Sequence, residues 1–378
     1  MPGPTTGLTV RARRAIHYRN QALDRKLSDP LEFIRTLDLY STSPTSHLGL
    51  AARIKGYETG ALDDLVAARA IVAMGAMRGS GYFVPVELIT VVTGATTGRR
   101  RTVQKQAIGS GLNRRAYDRL AQRVAKVLAG REMDAAAIKK EVKPKEGDEA
   151  HVFSWVMRLM SDECRLVRTR TAGSWKSNKA VYRLWDEWFP DVDPFAMSED
   201  HACDELARIY FAVHGPATIA DFGWWSGLKK PAAVVEHADI PELGDGFYGR
   251  TKKAPVPKGV RLLPYWDGAF LTLRDRTHVV SDDLYGMVYD KSGNPAPVVL
   301  VDGRAQGVWS LHDDKKRMVV RAAPFKSFTG ATWRQIEAEA QLIAHATGAP
   351  DVEVIRCSDP PSIADGRWNL FMSPLKDK

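Results

Sequence analysis

The sequence has few cysteines and no long apolar run. Its three cysteines, Cys164, Cys203 and Cys357, share no CxxC spacing, which argues against a disulfide framework or a structural zinc site and fits a reducing compartment. No stretch approaches the roughly 20 apolar residues that a membrane helix needs. The polar, Arg-containing segment that follows Met1 has no apolar core of a signal peptide. We therefore expect a soluble, cytoplasmic protein.

Acidic residues are scarce relative to basic ones. The formal net charge is +9, from 54 Lys and Arg against 45 Asp and Glu. The excess is concentrated, because residues 97–126 hold nine basic and one acidic side chain, and residues 165–183 hold six basic and no acidic ones. Such clusters are typical of proteins that neutralise phosphates. The pattern predicts a polyanionic partner, with a generally basic surface as the alternative.

The length of 378 residues exceeds that of one ordinary domain, and the hydrophobic fraction of 44% is that of a globular protein. Apolar residues recur at helical spacing in several segments, each followed by short β-prone runs that end at Gly or Pro. A winged helix-turn-helix unit consists of a short helix, a turn, a longer helix and a pair of strands, in that order. We predict an α+β fold of tandem winged-helix units with a β-rich C-terminal region.

The predicted organisation has four parts. They are a first winged-helix unit at residues 1–95, a second unit with a basic wing at 96–195, a third helix-turn-helix unit at 196–246, and the β-rich region with a final helix at 247–378. Residues 96–101 are predicted to form a loop. In the third unit, Thr218 is predicted to cap the start of a helix and Gly227 its end.

Several stretches form a recognisable set. They are Met77-Arg-Gly-Ser80 with Tyr82-Phe-Val-Pro85, His214-Gly-Pro-Ala-Thr218 with Trp224-Trp-Ser-Gly227, Leu262-Leu-Pro-Tyr-Trp-Asp267, Leu273-Arg-Asp-Arg276, Val298–Arg304 and Gly307-Val-Trp309. In this order and spacing they resemble the AlkZ/YcaQ-type winged-helix DNA glycosylases, over nearly the whole chain. The resemblance implies tandem winged helices around a DNA channel. It also implies base-excision repair of alkylated or crosslinked bases, with no metal or organic cofactor.

The catalytic position departs from that family, which carries Gln-x-Gln or Gln-x-Asp. Here the two working positions fall on Tyr40 and Thr42, and Ser43 replaces the trailing acidic residue. Hydrolysis of an N-glycosidic bond passes through an oxocarbenium-like sugar, which needs dipolar stabilisation and a positioned water. Hydroxyls can position a water, although none is a general base at neutral pH. An alkylated base that is already cationic, and so leaves easily, is therefore the expected substrate.

Two further residues near this motif are candidates for catalytic assistance. Asp38 is the nearest carboxylate, and His47 follows Ser43 by one helical turn. Each also has a structural interpretation: an ion pair between Asp38 and Arg35, and a packed or surface role for His47. Ser43, followed by proline, can equally be a helix N-cap.

Predicted DNA-binding residues form three groups. They are Arg78, which can bind a phosphate or form an ion pair; an electrostatic arm of Arg99, Arg100 and Arg101; and a wing of Arg168, Arg170, Trp175, Lys176 and Lys179. Basic residues around one aromatic can clamp the DNA backbone and wedge at a base step. The alternatives are a solvated loop for the arm and, for the wing, a hairpin with Trp175 packed on the core. Asp267 is predicted to pair with an arginine.

Two functions remain open. The first is a monofunctional DNA glycosylase for alkylated, bulky-adduct or crosslinked bases; no lysine occupies the motif, so Schiff-base lyase chemistry is not suggested. The second is a catalytically altered winged-helix protein that binds damaged DNA or has a regulatory role. We favour the enzyme because the architecture and polar groups at the motif are retained. The expected partner is double-stranded, damaged DNA, bound by a nucleoid-associated monomer without a metal.

Overall fold

The computed structural model describes residues 8–25, 27–145, 147–250, 253–314, 317–358 and 360. Its α-helices are α1 (Val10–Asn20), α2 (Pro30–Ile34), α3 (Thr45–Ala51), α4 (Gly60–Ala67), α5 (Ile89–Ala95), α6 (Thr97–Gly109), α7 (Arg114–Leu128), α8 (Ala135–Val142), α9 (Asp148–Asp162), α10 (Trp185–Trp188), α11 (Glu199–His214), α12 (Ile219–Ser226), α13 (Pro231–His237), α14 (Tyr285–Val288) and α15 (Gly330–Thr347). Its strands are β1 (Ile71–Gly75), β2 (Gly81–Pro85), β3 (Met133–Asp134), β4 (Leu166–Ala172), β5 (Lys179–Leu184), β6 (Ala217–Thr218), β7 (Glu242–Gly244), β8 (Phe247–Tyr248), β9 (Val260–Leu263), β10 (Val298–Val301), β11 (Arg304–Asp314), β12 (Arg317–Pro324) and β13 (Val352–Arg356).

The chain forms two compact units, and its class is α+β, as predicted. Unit 1 contains the described residues of Met1–Tyr40, Pro44–Ala61 and Ala207–Lys378, and unit 2 contains Ser41–Ser43 and Leu62–Leu206. Each unit is larger than a single winged helix. The four domain boundaries drawn from the sequence stay a prediction.

Unit 2 is built on a five-stranded sheet in the order β2-β1-β4-β5-β3. The β1–β2 hairpin places Gly75 directly opposite Gly81, and β1 pairs with β4 through Ala73 and Arg168. Two features stabilise helix α7. The side chain of Asn113 caps its start by accepting a hydrogen bond from Ala116 N, and one apolar stripe, which ends at Leu128, is buried. This stripe and buried residues of α8 and α9 form the core beneath the sheet.

Unit 1 contains a second five-stranded sheet, in the order β13-β12-β11-β10-β9. Only the β12–β13 pair among these is parallel. Trp309 is fully buried in β11, and its indole N–H donates to Leu263 O over 2.8 Å. Helix α15 is capped by the Thr329 side chain at its start and ends at Gly348, whose φ of 68° is the left-handed conformation that glycine adopts without strain.

One local topology occurs twice. In unit 2 the short strand β3 precedes two helices and the β4–β5 hairpin, with the order β4-β5-β3. In unit 1 the short strand β6 precedes two helices and the β7–β8 hairpin, with the order β6-β8-β7. Both predicted caps of α12 are confirmed: Thr218 and Asp221 form a capping box, and Gly227 ends the helix with a φ of 73°.

The loop predicted at residues 96–101 is wrong. Residues 97–109 form α6, whose Val103 and Ala107 are buried four residues apart. This single apolar edge is enough to anchor the helix on its unit, although the segment is too polar to show a clear amphipathic pattern. The three cysteines are buried, and they form no disulfide within the described part of the chain. Within the described ranges, no helix has the length and apolar character needed to span a bilayer.

Candidate active site and nucleic-acid interface

The motif segment Leu39–Pro44 connects α2 to α3. Leu37 ends the preceding turn with a φ of 58°, a conformation that side chains other than glycine adopt only rarely. Tyr40 is buried, whereas Thr42 and Ser43 are half-buried. The backbone N–H of Ser41 donates to Gly81 O over 2.9 Å, which attaches the segment to β2.

The motif is also tied to the predicted wing. Ser43 N donates to Asn178 Oδ1 over 2.8 Å, and Asn178 Nδ2 donates to Ser43 O over 2.7 Å. Asn178 lies in the turn between β4 and β5. The hydroxyls of Thr42 and Ser43 have no hydrogen-bond partner in the part of the chain that the structure describes. This arrangement fixes the backbone of the motif and leaves two hydroxyls available to hold a water.

Ser43 is not a helix cap. Helix α3 begins at Thr45 with Pro44 in the N-cap position, and no side chain caps it. The Thr45 hydroxyl donates instead to Tyr265 O over 2.9 Å. The structural alternative for Ser43 is therefore wrong, because the proline has moved the start of the helix one residue along the chain.

Asp38 lies inside unit 1, in a polar network. Gln21 Nε2 donates to Asp38 Oδ2 over 2.9 Å, and His214 Nε2 lies 3.2 Å from Asp38 Oδ1. The side chains of Asp38 and His214 have no exposed surface. The expected ion pair with Arg35 is not formed, because the carboxylate points into the protein while residue 35 is exposed. Catalytic assistance by Asp38 stays a prediction.

His47 is likewise buried. Its Nδ1 lies 2.9 Å from the Tyr57 hydroxyl, and burial lowers the pKa of the imidazole to about 4. The ring is neutral at pH 7 and already has a partner, which favours a packed role. Assistance of catalysis by His47 stays a prediction.

A buried ion pair holds the end of α3. The two terminal nitrogens of the Arg53 guanidinium group donate to the two carboxylate oxygens of Asp267, over 2.8 Å and 2.6 Å. Arg53 also donates to the backbone oxygens of Gln21 and Gly49, each over 2.9 Å. The two charged side chains are 1% and 2% exposed. The prediction that Asp267 pairs with an arginine is confirmed. The geometry is bidentate, the strong form of such a pair.

Arg78 lies at the turn of the β1–β2 hairpin. It is exposed and has a φ of 52°, so the backbone there is held in the left-handed region that non-glycine residues rarely occupy. DNA contact by Arg78 stays a prediction.

The predicted arm is part of α6, and its three arginines have different surroundings. Both terminal nitrogens of Arg99 lie 3.1 Å from Asp162 Oδ1. Arg100 donates to Thr93 O and lies over the ring of Phe195, and burial lowers its pKa. Arg101 is exposed and lies 3.2 Å from Glu199. Of the three, Arg101 is therefore the one whose guanidinium group faces solvent.

The predicted wing is a real hairpin, β4–β5. Trp175 and Lys176 lie in its turn, with the ammonium group 5.0 Å from the centre of the indole ring. Arg170 and Lys179 are exposed on its strands, each near an acidic side chain: Glu132 at 3.5 Å and Asp134 at 2.9 Å. Arg168 faces the other way, into a cavity of unit 2. Asn178 is the functional candidate that sequence reasoning missed.

Residues 35–346 match the family described as DNA glycosylase AlkZ-like. The chain belongs to this family. A curated relative, the interstrand DNA cross-link repair glycosylase of Streptomyces sahachiroi, is 27% identical over 197 residues, which are 47% of this chain and 52% of the relative. The match thus spans about half the length of that protein.

A solved structure, the Streptomyces sahachiroi DNA glycosylase AlkZ, is similar with a TM-score of 0.72 at 21% identity. The similarity covers 92% of this chain and 98% of that one. It shows that this AlkZ-like chain has the same fold. Among the described residues, no group of three or more His, Cys, Asp or Glu side chains could hold a metal ion.

Proposed function

We propose that this AlkZ-like chain is a monofunctional DNA glycosylase of base-excision repair that removes alkylated or crosslinked bases. The observation that carries the proposal is the pair of hydrogen bonds between Ser43 and Asn178. They join the position of the family's catalytic motif to a basic hairpin with an aromatic residue at its turn. A DNA-binding element and a set of polar groups thus occur side by side within one unit.

In the proposed chemistry the main task of the protein is to position the reacting water next to the sugar. An alkylated purine that carries a positive charge leaves as a neutral base when it takes the electron pair of the glycosidic bond. A water then adds to the sugar carbon and loses its proton to solvent. The hydroxyls of Thr42 and Ser43 would orient that water, and Tyr40 is the third residue of the motif that we propose for catalysis.

The fold detail that we propose is a series of winged helices. The repeated topology, a short strand, two helices and a hairpin that pairs back to the short strand, supports it for the segments that contain β3–β5 and β6–β8. In this interpretation the β4–β5 hairpin is a wing. Its Arg170, Trp175, Lys176 and Lys179 would contact the DNA backbone, with Arg78 and Arg101 as further phosphate contacts.

The second candidate function is a binder of damaged DNA without base excision. It is favoured by one observation: the two acid–base candidates near the motif, Asp38 and His47, are both buried and engaged with other side chains. Under either function the proposed partner is double-stranded, damaged DNA, bound by a monomer in the nucleoid.

The test is release of a free base. Purified protein is incubated with duplex DNA that carries a methylated purine or a nitrogen-mustard crosslink, and the released base and alkali-labile sites are measured. Excision by wild type, lost in Thr42→Ala, supports the enzyme. Tight binding with no released base over both substrates supports the binder. The matched control is Thr36→Ala, a half-buried threonine whose hydroxyl donates only to Phe33 O.

A further inference from the structure

Unit 2 contains a cavity of about 700 Å³. It is lined by β1, β2 and β4, by the α8 and α9 helices, and by Arg99 of α6. A volume of this size is in the range of small-molecule sites. Its walls combine apolar and aromatic groups such as Phe153, Met157 and Tyr182 with the cations of Arg158, Arg168 and Lys139.

Two glycines line one end of this cavity. Gly75 and Gly81 face each other across the β1–β2 hairpin, so side chains there would project on the same face. A Cβ atom on Gly75 would lie 2.8 Å from the Arg99 guanidinium, and one on Gly81 would lie 2.7 Å from the Ser41 hydroxyl. The space is therefore taken by polar groups from other elements, and larger residues would displace them.

The described residues that line the cavity carry more positive than negative charge. Among them Asp162 is the single acidic residue, and its Oδ1 already accepts from Arg99. Arg168 has no acidic partner among the described residues, and its Nε atom is buried without an acceptor. Burial lowers the pKa of Arg168, which is what an uncompensated buried cation is expected to show. A buried cation without a counter-ion lowers the stability of the folded state unless an anion pairs with it.

The position of Arg168 suits a planar, charged ligand. It lies on a central strand of the sheet, directly opposite Ala73 on β1 and Tyr182 on β5. The small Ala73 leaves room beside the guanidinium, and Tyr182 offers an aromatic surface next to it. Arginine binds phosphate oxygens through two parallel hydrogen bonds, and a tyrosine ring can stack on a nucleobase.

We propose that this cavity is a binding site for a nucleotide, with Arg168 as the main contact of the phosphate group and Tyr182 as the contact of the base. The site goes beyond the proposed base excision, which it does not require. The proposed ligand is a free mononucleotide, which distinguishes this site from the contacts with duplex DNA that base excision needs.

Thermal unfolding of the full chain tests the site, because a ligand that binds only the folded state raises Tm. Wild type is titrated with deoxyadenosine monophosphate, with deoxyadenosine and with a short DNA strand. We expect Tm to rise with the mononucleotide and not with the nucleoside. A rise with the DNA strand alone contradicts the site, because DNA binding is already expected from the proposed function.

Arg168→Gln is the decisive variant, and Arg183→Gln is its matched control. Arg183 lies on the neighbouring strand β5, is not part of the cavity lining, and pairs with Glu187 over 3.3 Å. The ligand-induced rise should disappear in Arg168→Gln and persist in Arg183→Gln. Without ligand, Arg168→Gln should melt no lower than wild type, because it removes an unpaired buried charge. Arg168→Lys, which keeps the charge without the fork, should show a reduced rise, and it serves as the test if the glutamine variant does not fold.

The proposal is overturned if the mononucleotide does not raise the Tm of wild type, or if Arg168→Gln and Arg183→Gln respond alike. Neither outcome bears on base excision, because the titration involves no damaged base. Conversely, a failure to release bases leaves this Tm series unaffected, so the two proposals fail separately.

Discussion

Replacing Asn178 by alanine should slow base release while DNA binding is kept. The side chain makes two hydrogen bonds to the backbone of Ser43, of 2.8 and 2.7 Å. A neutral hydrogen bond contributes about 0.5–1.5 kcal/mol, and the exposed setting of this pair places it in the lower part of that range. The clamp thus contributes about 1–2 kcal/mol to holding the motif, which corresponds to about a five- to 30-fold loss of rate if the motif must be in place during reaction.

The assay is a single-turnover time course of base release, with duplex affinity measured in parallel on the same DNA. Ser177→Ala is the control, since the Ser177 hydroxyl lies in the same turn and accepts from Lys179 N over 3.1 Å without contacting the motif. We expect Asn178→Ala to lower the rate, to leave the dissociation constant nearly unchanged, and to differ from Ser177→Ala in rate alone. Equal rates for Asn178→Ala and wild type would refute the role assigned to this contact.

Three further predictions follow from the structure. Arg53→Met should lower the free energy of unfolding, measured in urea, by about 3–5 kcal/mol, because it leaves the buried Asp267 carboxylate unpaired; a loss below about 1 kcal/mol contradicts this. Trp175→Ala combined with Lys176→Ala should weaken duplex binding and make the negative slope of log K against log salt shallower by about one, since one phosphate contact is lost. An unchanged slope argues against DNA contact by the wing. The pKa of His47 is lowered to about 4 in the folded protein, so the unfolded chain takes up the proton first as pH falls. Stability should therefore be lost between about pH 6.5 and pH 4, by up to about 1.4 kcal/mol per pH unit, and His47→Gln should flatten that slope; an identical slope in the variant shows that other groups cause the loss.

Local signals in the sequence predicted local structure well. Thr218 and Gly227 identified both ends of α12. Such signals succeed because capping and amphipathicity depend on residues within a few positions of each other. The same reasoning failed at α6, where two buried residues in 13 were too few to outweigh the Thr, Gly and Arg around them.

Contacts between distant residues could not be predicted in this way. Asn178 and Ser43 are 135 positions apart, and nothing in the sequence near either residue marks the other. Asp38 had a plausible partner three residues earlier in Arg35, yet its actual neighbour is His214. Burial decides such pairings, and burial is a property of the fold. The type of partner was predictable for Asp267, because a charge within an apolar stretch requires a counter-ion.

The most direct test of the central claim compares two lesions in the same duplex. The account holds that hydroxyls at Thr42 and Ser43 suffice when the base itself is a good leaving group. Wild type should therefore release a cationic base such as 7-methylguanine and should release a neutral base such as hypoxanthine far more slowly, and Thr42→Ala combined with Ser43→Ala should reduce the first rate. Equal release of both bases, or full activity in the double variant, would contradict the account.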